Sequence, residues 1–543
     1  MTPAPDSDIG SMEPGASQAS FISDPVQIAN APFQATHMTS SELPHQSRPV
    51  IVWFRDDQRL GDNPALSHAV STGHPVVCVY VYDPAPTLGR PMGGAQRWWL
   101  HESLSKLDES LSALGGSLIV LRGNEHEAIR RLAVETRAAM VFWNRRYAKA
   151  QMAMDASIKQ DLIGRGIDVS TFNGHLLREP WTVTTREGLP FQVFSAYWRA
   201  ARRDNFFPPC PLPAPSRVTF FPVSKCVSAH VCTLPELALQ PSTPDWAEGL
   251  RATWRCGEEA AGRQLEAFIE NSFSDYAGAR DFPASHATSR LSPYLRFGNI
   301  SARQVWYATL SAVDTMRSRR IVRIDDAQNE SLNKFFSELG WREFSYYLLY
   351  HCKPLHQFNF RRQFDAMPWR TDAKALRKWQ MGKTGYPLVD AGMRELWHTG
   401  WMHNRVRMVT ASFLTKHLLI DWREGEAWFW DTLVDADEAS NPAGWQWVSG
   451  SGADAAPYFR IFNPVLQGKK FDPRGEYTRR WVPELSALPA ETVHSPWTAS
   501  ADELQQASIT LGASYPFPIV DHQLARARAL SSVEILNMQG ERK

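Results

Sequence analysis

The chain has 543 residues, 43% of them hydrophobic and 21% charged, with a net charge of +1. That length can bury more than one core, while the near-neutral balance excludes a global pull toward nucleic acid or membrane and leaves only local patches to consider. Six cysteines without C-x-x-C spacing exclude a disulfide framework and a structural zinc site, no metal is expected, and no run approaches the eighteen or so apolar residues of a membrane span.

The first 47 residues contain no Lys or Arg. They lack the marks of a secretory or transit peptide, and their Pro, Ser, Ala and Gln content predicts a disordered leader over 1–47. Short β-branched or aromatic runs follow at 50–54, 76–82, 117–121, 140–143 and 167–172, separated by helical patterns. This alternation predicts a parallel sheet with crossover helices, an α/β domain over 48–180. The period of Leu100, Leu104, Leu107, Leu111 and Leu114 predicts a helix over 96–114, stopped by Gly115 and Gly116. After the first strand stands "RDDQRLGDNPAL" rather than G-x-G-x-x-G, so a standard dinucleotide fingerprint is absent. A ligand of this domain would lie at the carboxyl edge of the sheet.

Nine prolines between Pro208 and Pro244 predict an extended surface connection, within a linker over 181–257. From 258 to 530 helical patterns dominate, which predicts an all-helical second domain. Between Phe360 and Met408 ten Lys/Arg face four acids, with Trp369, Trp379, Tyr386, Trp397 and Trp401 interleaved. Such a surface suits phosphates and unstacked bases, although charge alone equally describes a solvated helix face. The 21 tryptophans are read by default as core.

Two long blocks, "GKTGYPLVDAGMRELWHTGWMHNRVRMVTASFLTKHLLIDWREGE" and "DADEASNPAGWQWVSGSGADAAPYFRIFNPVLQGKKFDP", resemble the photolyase/cryptochrome family of flavoproteins. "FRDDQRLGDNPAL", "ARDFPASHATSRLSPYLRFGNIS", "ELGWREF" and "YPFPIVDHQLARARAL" agree, so the resemblance spans about 48–530 and is nearest to microbial cyclobutane pyrimidine dimer photolyases. It implies an α/β antenna domain, a helical domain that binds FAD and UV-damaged DNA, and an antenna pigment, methenyltetrahydrofolate or alternatively a deazaflavin. It also implies light-driven splitting of the dimer by an electron from excited reduced FAD, the cofactor carrying the chemistry. A cytoplasmic monomer with no membrane partner is expected.

The resemblance also assigns residues. Tyr276, Thr288, Ser289, Arg290, Leu291 and Ser292 match the turn that binds the FAD phosphates; read alone, the string T-S-R-L-S is a helix cap. Asp435, Ala436 and Asp437 match the segment against the isoalloxazine and ribose, with Arg407 the expected partner of Asp435. Asn441 matches the amide facing flavin N5, able to donate or accept. Trp445, Trp422 and Trp369 match the electron chain from flavin to surface. Glu338, Trp341, Asn404, Met408 and Trp447 match the pocket for the flipped-out lesion, with Arg280, Arg342 and Arg405 on DNA phosphates; photolyases are among the enzymes that take the base out of the stack. Tyr147 is followed by Ala148 and Lys149 where relatives commonly carry an acid available to the pigment. The rival reading is a cryptochrome-type blue-light receptor, against which stand Asn441, the lesion pocket and the short carboxyl tail. A remoter one is a redox flavoprotein unrelated to DNA, which the basic face opposes.

Overall fold

The structure is a computed structural model that describes residues 48–540 apart from 88, 204–205, 223–230, 319–325 and 459. The leader expected over 1–47 lies outside the described residues. Five strands, β1 (Val50–Phe54), β2 (Val76–Tyr82), β3 (Leu118–Arg122), β4 (Met140–Asn144) and β5 (Asp168–Phe172), form one parallel sheet in the order β3-β2-β1-β4-β5. Val52 sits between Cys78 of β2 and Phe142 of β4. β1 is wholly buried, as a β-branched run must be when helices cover both faces of a parallel sheet. The crossovers run through α1 (Pro64–Ser71), α2 (Gly94–Ala113), α3 (Glu125–Glu135) and α4 (Lys149–Gly164). In α2 the buried Leu100, Leu104, Leu107 and Leu111 make the predicted stripe, and the helix stops before Gly115, which takes a φ of +88°.

The connection to the second half is not only extended. It holds α5 (Phe194–Ala201), whose Tyr197 and Ala200 are buried, and α6 (Glu248–Thr253). An all-helical half follows, as expected. Its helices are α7 (Glu258–Asn271), α8 (Tyr276–Ala279), α9 (Ser292–Phe297), α10 (Ala302–Ser318), α11 (Asp326–His351), α12 (Ala373–Gln380), α13 (Pro387–Thr399), α14 (Asn404–Ser412), α15 (Trp422–Thr432), α16 (Ser440–Ser449) and α17 (Pro464–Phe471), and three more carry the chain to Gly540. None of the described helices is long and apolar enough to cross a membrane.

The stretch "RDDQRLGDNPAL" joins the two halves. The buried Arg59 donates to the carbonyl oxygens of Gly298 (2.9 Å), Gly174 (2.6 Å) and Asp62 (2.7 Å). Asp62 pairs with Arg303 (3.0 Å), Asp56 with Arg296 (2.7 Å), and the Glu258 carboxylate accepts from Leu60 N (2.7 Å) and Gly61 N (2.8 Å). Trp99 Nε1 donates to Asn299 Oδ1 at 3.1 Å. These contacts tie the turn after β1 to the ends of α7, α9 and α10.

Gly298 ends α9 at a φ of +65°, and a Cβ there would lie 2.1 Å from the Asp56 carbonyl oxygen. Left-handed backbone costs an L-residue about 1–2 kcal/mol before any clash with the facing backbone is counted. Gly298→Ala is therefore expected to lower the thermal midpoint by several degrees; a midpoint within one degree of the parent protein would show that the joint has slack.

Candidate functional site

A cavity of about 610 Å³ opens among α8, α9, α11, α14, α15 and α16, within the size range of cofactor pockets. One wall is charged. Arg407 meets both oxygens of Asp435, at 3.1 and 2.8 Å, and donates to the Met402 carbonyl oxygen at 2.7 Å. Ser292 Oγ donates to Asp435 Oδ2 at 2.6 Å and accepts from Trp401 Nε1 at 3.3 Å. The Asp435 carboxylate is thus buried but fully paired, which is the condition for keeping a charge there. Asp437 caps the start of α16 by accepting from Ala439 N (2.8 Å) and Ser440 N, while burial pushes its carboxyl above the usual range. The cap turns Asn441, on the first turn of α16, into the cavity lining.

Tyr276, Ser289, Leu291, Ser292, Arg407, Asp435, Ala436, Asp437 and Asn441 all line this space. Thr288 and Arg290 do not. Arg290, at a φ of +52°, lays its guanidinium over Trp254 (4.5 Å) and Trp401 (4.9 Å), which makes it a packing residue behind the wall. Ser289 holds its place through its carbonyl, which accepts from Gln264 at 3.0 Å.

Arg280, Glu338, Trp341, Arg342, Asn404, Arg405, Met408 and Trp447 line the same cavity. Glu338 and Trp341 lie three apart on α11 and share a face. Glu338 is paired with Arg280 at 2.5 Å, and Arg405 with Asp281 at 2.6 Å beneath the Phe471 ring, so both arginines are already engaged at the rim. Arg342 departs from the expected phosphate role. It donates to His175 O at 3.1 Å, meets His175 Nε2 at 2.6 Å and stacks over Tyr346, all within the protein. Phe194 of α5 stacks face to face on Trp341 at 3.9 Å, so the connecting segment supports the pocket from behind. No sequence signal marked Phe194, because its role rests on a contact 147 residues away in the chain.

Trp445 lines the cavity and belongs to one apolar cluster with the fully buried Trp422. Half-buried Trp369 packs against that cluster and also against a second one that holds Tyr458 and Leu419. The rings touching Trp445 are Phe429 (5.0 Å), not singled out from sequence, and Trp379 (6.1 Å), named there only as an aromatic of the basic stretch. Gly425 leaves room for this packing, since a Cβ there would lie 2.1 Å from the Trp445 ring. Eleven of the 21 tryptophans are buried, while Trp341, Trp369 and Trp447 are only partly so. The basic stretch divides: Arg405 and Arg407 turn toward the cavity, Arg394 pairs with Glu484 at 2.7 Å, and Lys374, Arg377 and Lys378 stand exposed on α12.

The crevice at the carboxyl edge of the sheet, between β1 and β4, is largely filled by ion pairs. Asp155 pairs with Arg55 (2.9 Å) and Arg146 (2.6 Å), and Glu125 with Arg146 (2.8 Å). Two small spaces remain there, of about 30 and 110 Å³. No group of three metal-ligating side chains occurs among the described residues.

Comparison with known proteins agrees with this architecture. Residues 50–216 match the DNA photolyase family model, and residues 335–535 the FAD binding domain of DNA photolyase. The chain is 48% identical over 490 residues to a deoxyribodipyrimidine photo-lyase of Agrobacterium fabrum, covering 90% of this chain and 98% of that protein. It is 40% identical to Cryptochrome-1 of Arabidopsis thaliana, covering 88% of this chain and 69% of that protein. A crystal structure of a bacterial class III photolyase from Agrobacterium tumefaciens superposes with a TM-score of 0.85 at 46% identity, covering 92% of this chain and 99% of that one. With both halves matched in order and nearly the whole length covered, the chain belongs to the photolyase/cryptochrome family and carries its FAD-binding domain.

Proposed function

We propose that this protein is a light-driven DNA repair enzyme, a deoxyribodipyrimidine photo-lyase that splits cyclobutane pyrimidine dimers in UV-damaged DNA. In this reading 48–180 form the antenna domain, 181–257 the linker and 258–530 the FAD- and DNA-binding domain. One observation carries it: the residues assigned to flavin and those assigned to the lesion line a single cavity. Bound reduced FAD, excited by blue light, supplies the electron that opens the dimer. The chain's own residues do the rest. Arg407, Asp435 and Ser292 form the polar wall for the flavin, Asn441 presents an amide, Trp341 and Trp447 offer flat faces to the unstacked bases, and Glu338 supplies an acceptor for their polar edges. Arg280 and Arg405 stand at the rim for phosphates, and Asn404 and Met408 complete the lining. Trp445, Trp422 and Trp369 carry electrons inward during photoreduction.

The relative named Cryptochrome-1 keeps a blue-light receptor as the second reading. The polar and aromatic lining beside Asn441 favours repair, since a receptor that does not bind the lesion needs no such pocket. For the antenna, the ion pairs that fill the crevice leave far less than the 300 Å³ or so of an ordinary ligand pocket. That speaks against either pigment lying in this crevice, and methenyltetrahydrofolate, alternatively a deazaflavin, remains the expected antenna at a place these spaces do not mark. A cytoplasmic monomer remains the expected state.

Photoreduced protein, illuminated with an oligonucleotide carrying one cyclobutane dimer, is expected to restore the undamaged bases; an intact lesion beside normal flavin content would reject repair in favour of the receptor. Trp445→Phe should slow photoreduction of oxidised FAD by an order of magnitude or more, read from the visible spectrum under blue light, and an unchanged rate removes Trp445 from the path. Glu338→Ala should lower repair yield several-fold at nearly full flavin content, and equal loss of both would make Glu338 structural.

A further inference from the structure

Residues 90–94, between β2 and α2, bring the α/β half against α15. Gly93 sits so close that a Cβ would come 2.2 Å from the Trp430 carbonyl oxygen. Gly94 N donates to Asp431 (2.7 Å), Gln96 Nε2 to Trp430 O (2.7 Å), and Trp430 Nε1 donates back to Pro91 O (2.8 Å). Held in this way, Arg90 lays its guanidinium 3.8 Å from the Trp430 ring centroid and meets both carboxylate oxygens of Glu426, at 2.9 and 3.0 Å. Glu426 and Trp430 lie one turn apart on α15, so a single guanidinium reaches both. From the other side Glu426 accepts from Asn441 Nδ2, through Oε1 at 2.7 Å and through its backbone oxygen at 3.2 Å. A primary amide has two N–H bonds and one carbonyl. With both N–H bonds directed to residue 426, the Asn441 carbonyl oxygen is left for the cavity.

We propose that Arg90 is a positioning residue for Asn441: it keeps Glu426 an ionised acceptor, and so fixes the amide with its oxygen toward the flavin. This rests on the reading of the cavity as the FAD site. A carboxylate can only accept a hydrogen bond, whereas a carboxylic acid can donate one to the amide oxygen and let the amide turn over. Burial pushes the Glu426 carboxyl above its usual range, with Arg90 and the Asn441 amide opposing the shift. Arg90 is the charged group that faces Glu426 among the described residues. His356 and Glu438 face Arg90 itself, and His356, pushed down to about 4 by burial and by Arg90, is neutral and does not repel it. A reduced flavin carries ring N–H groups that need an acceptor, while an oxidised ring offers lone pairs that need a donor. The amide's orientation therefore biases the flavin potential, and the α/β half sets it.

The test measures FAD content, the flavin midpoint potential and the rate of dark reoxidation after photoreduction, from mildly acidic to mildly alkaline pH. In Arg90→Met, reoxidation is expected to be faster by roughly tenfold at acidic pH, the worth of about one net hydrogen bond, with a lower potential. The difference should shrink as pH rises and Glu426 ionises unaided. Arg90→Lys should restore parental behaviour, and Arg90→Met with Glu426→Gln should lose the added pH dependence. Parent protein without FAD would reject the cofactor reading. Parent protein with FAD, matched by Arg90→Met at every pH, overturns the inference. Should Arg90→Met fail to hold FAD, Glu426→Gln alone decides: glutamine can donate, so the potential must fall across the pH range, and an unchanged potential overturns it.

Discussion

A guanidinium removed from water must be met by acceptors, and the placement of the two halves depends on this requirement. Arg59 is buried and surrounded by three carbonyl oxygens drawn from both halves, with Asp62–Arg303 and Asp56–Arg296 beside it. Replacing such pairs with apolar residues of equal volume often costs nothing, whereas removing one partner is expensive. Their consequence is geometric. The observed seating of the sheet against α9 and α10 supplies these acceptors, and in it Arg90 also reaches α15 and His175 reaches Arg342.

The cavity follows from the same placement. Its charged wall comes from α9, α14 and the turn before α16, its aromatic wall from α11 and α16, and α5 closes the back by stacking Phe194 on Trp341. The residues assigned by resemblance to flavin and those assigned to the lesion line one space. The segment between the halves is therefore part of the site's support.

The strands were legible because runs such as "VIVWF" and "VVCVYVY" are buried on both faces of a parallel sheet and carry no alternation to mislead. Their ends fell within one residue of expectation. Most of the site residues assigned by resemblance do line the cavity, since the long motifs carry their mutual spacing with them. Arg290 and Arg342 make contacts the motifs do not reveal, because a motif fixes where a backbone passes while the packing around it decides which way a side chain turns. Arg290 turns behind the wall to two tryptophans, and Arg342 toward His175. The basic stretch was misleading as a single surface, because Arg394 and Arg407 each found a carboxylate far away in sequence.

By itself the sequence determined the strands and their order, the break between an α/β half and a helical half, and the family with its motifs, though not α5 and α6 in the connection. Periodicity, turn residues and motif spacing are local properties, written within a few tens of residues. Only the tertiary structure decided that "RDDQRLGDNPAL" joins the halves, that Phe194 backs the cavity wall at Trp341, and that Arg90 reaches Asn441 through Glu426. Each of these depends on contacts between residues 147 to more than 300 positions apart, where charge pairing and ring stacking are settled by packing and leave no pattern in the chain.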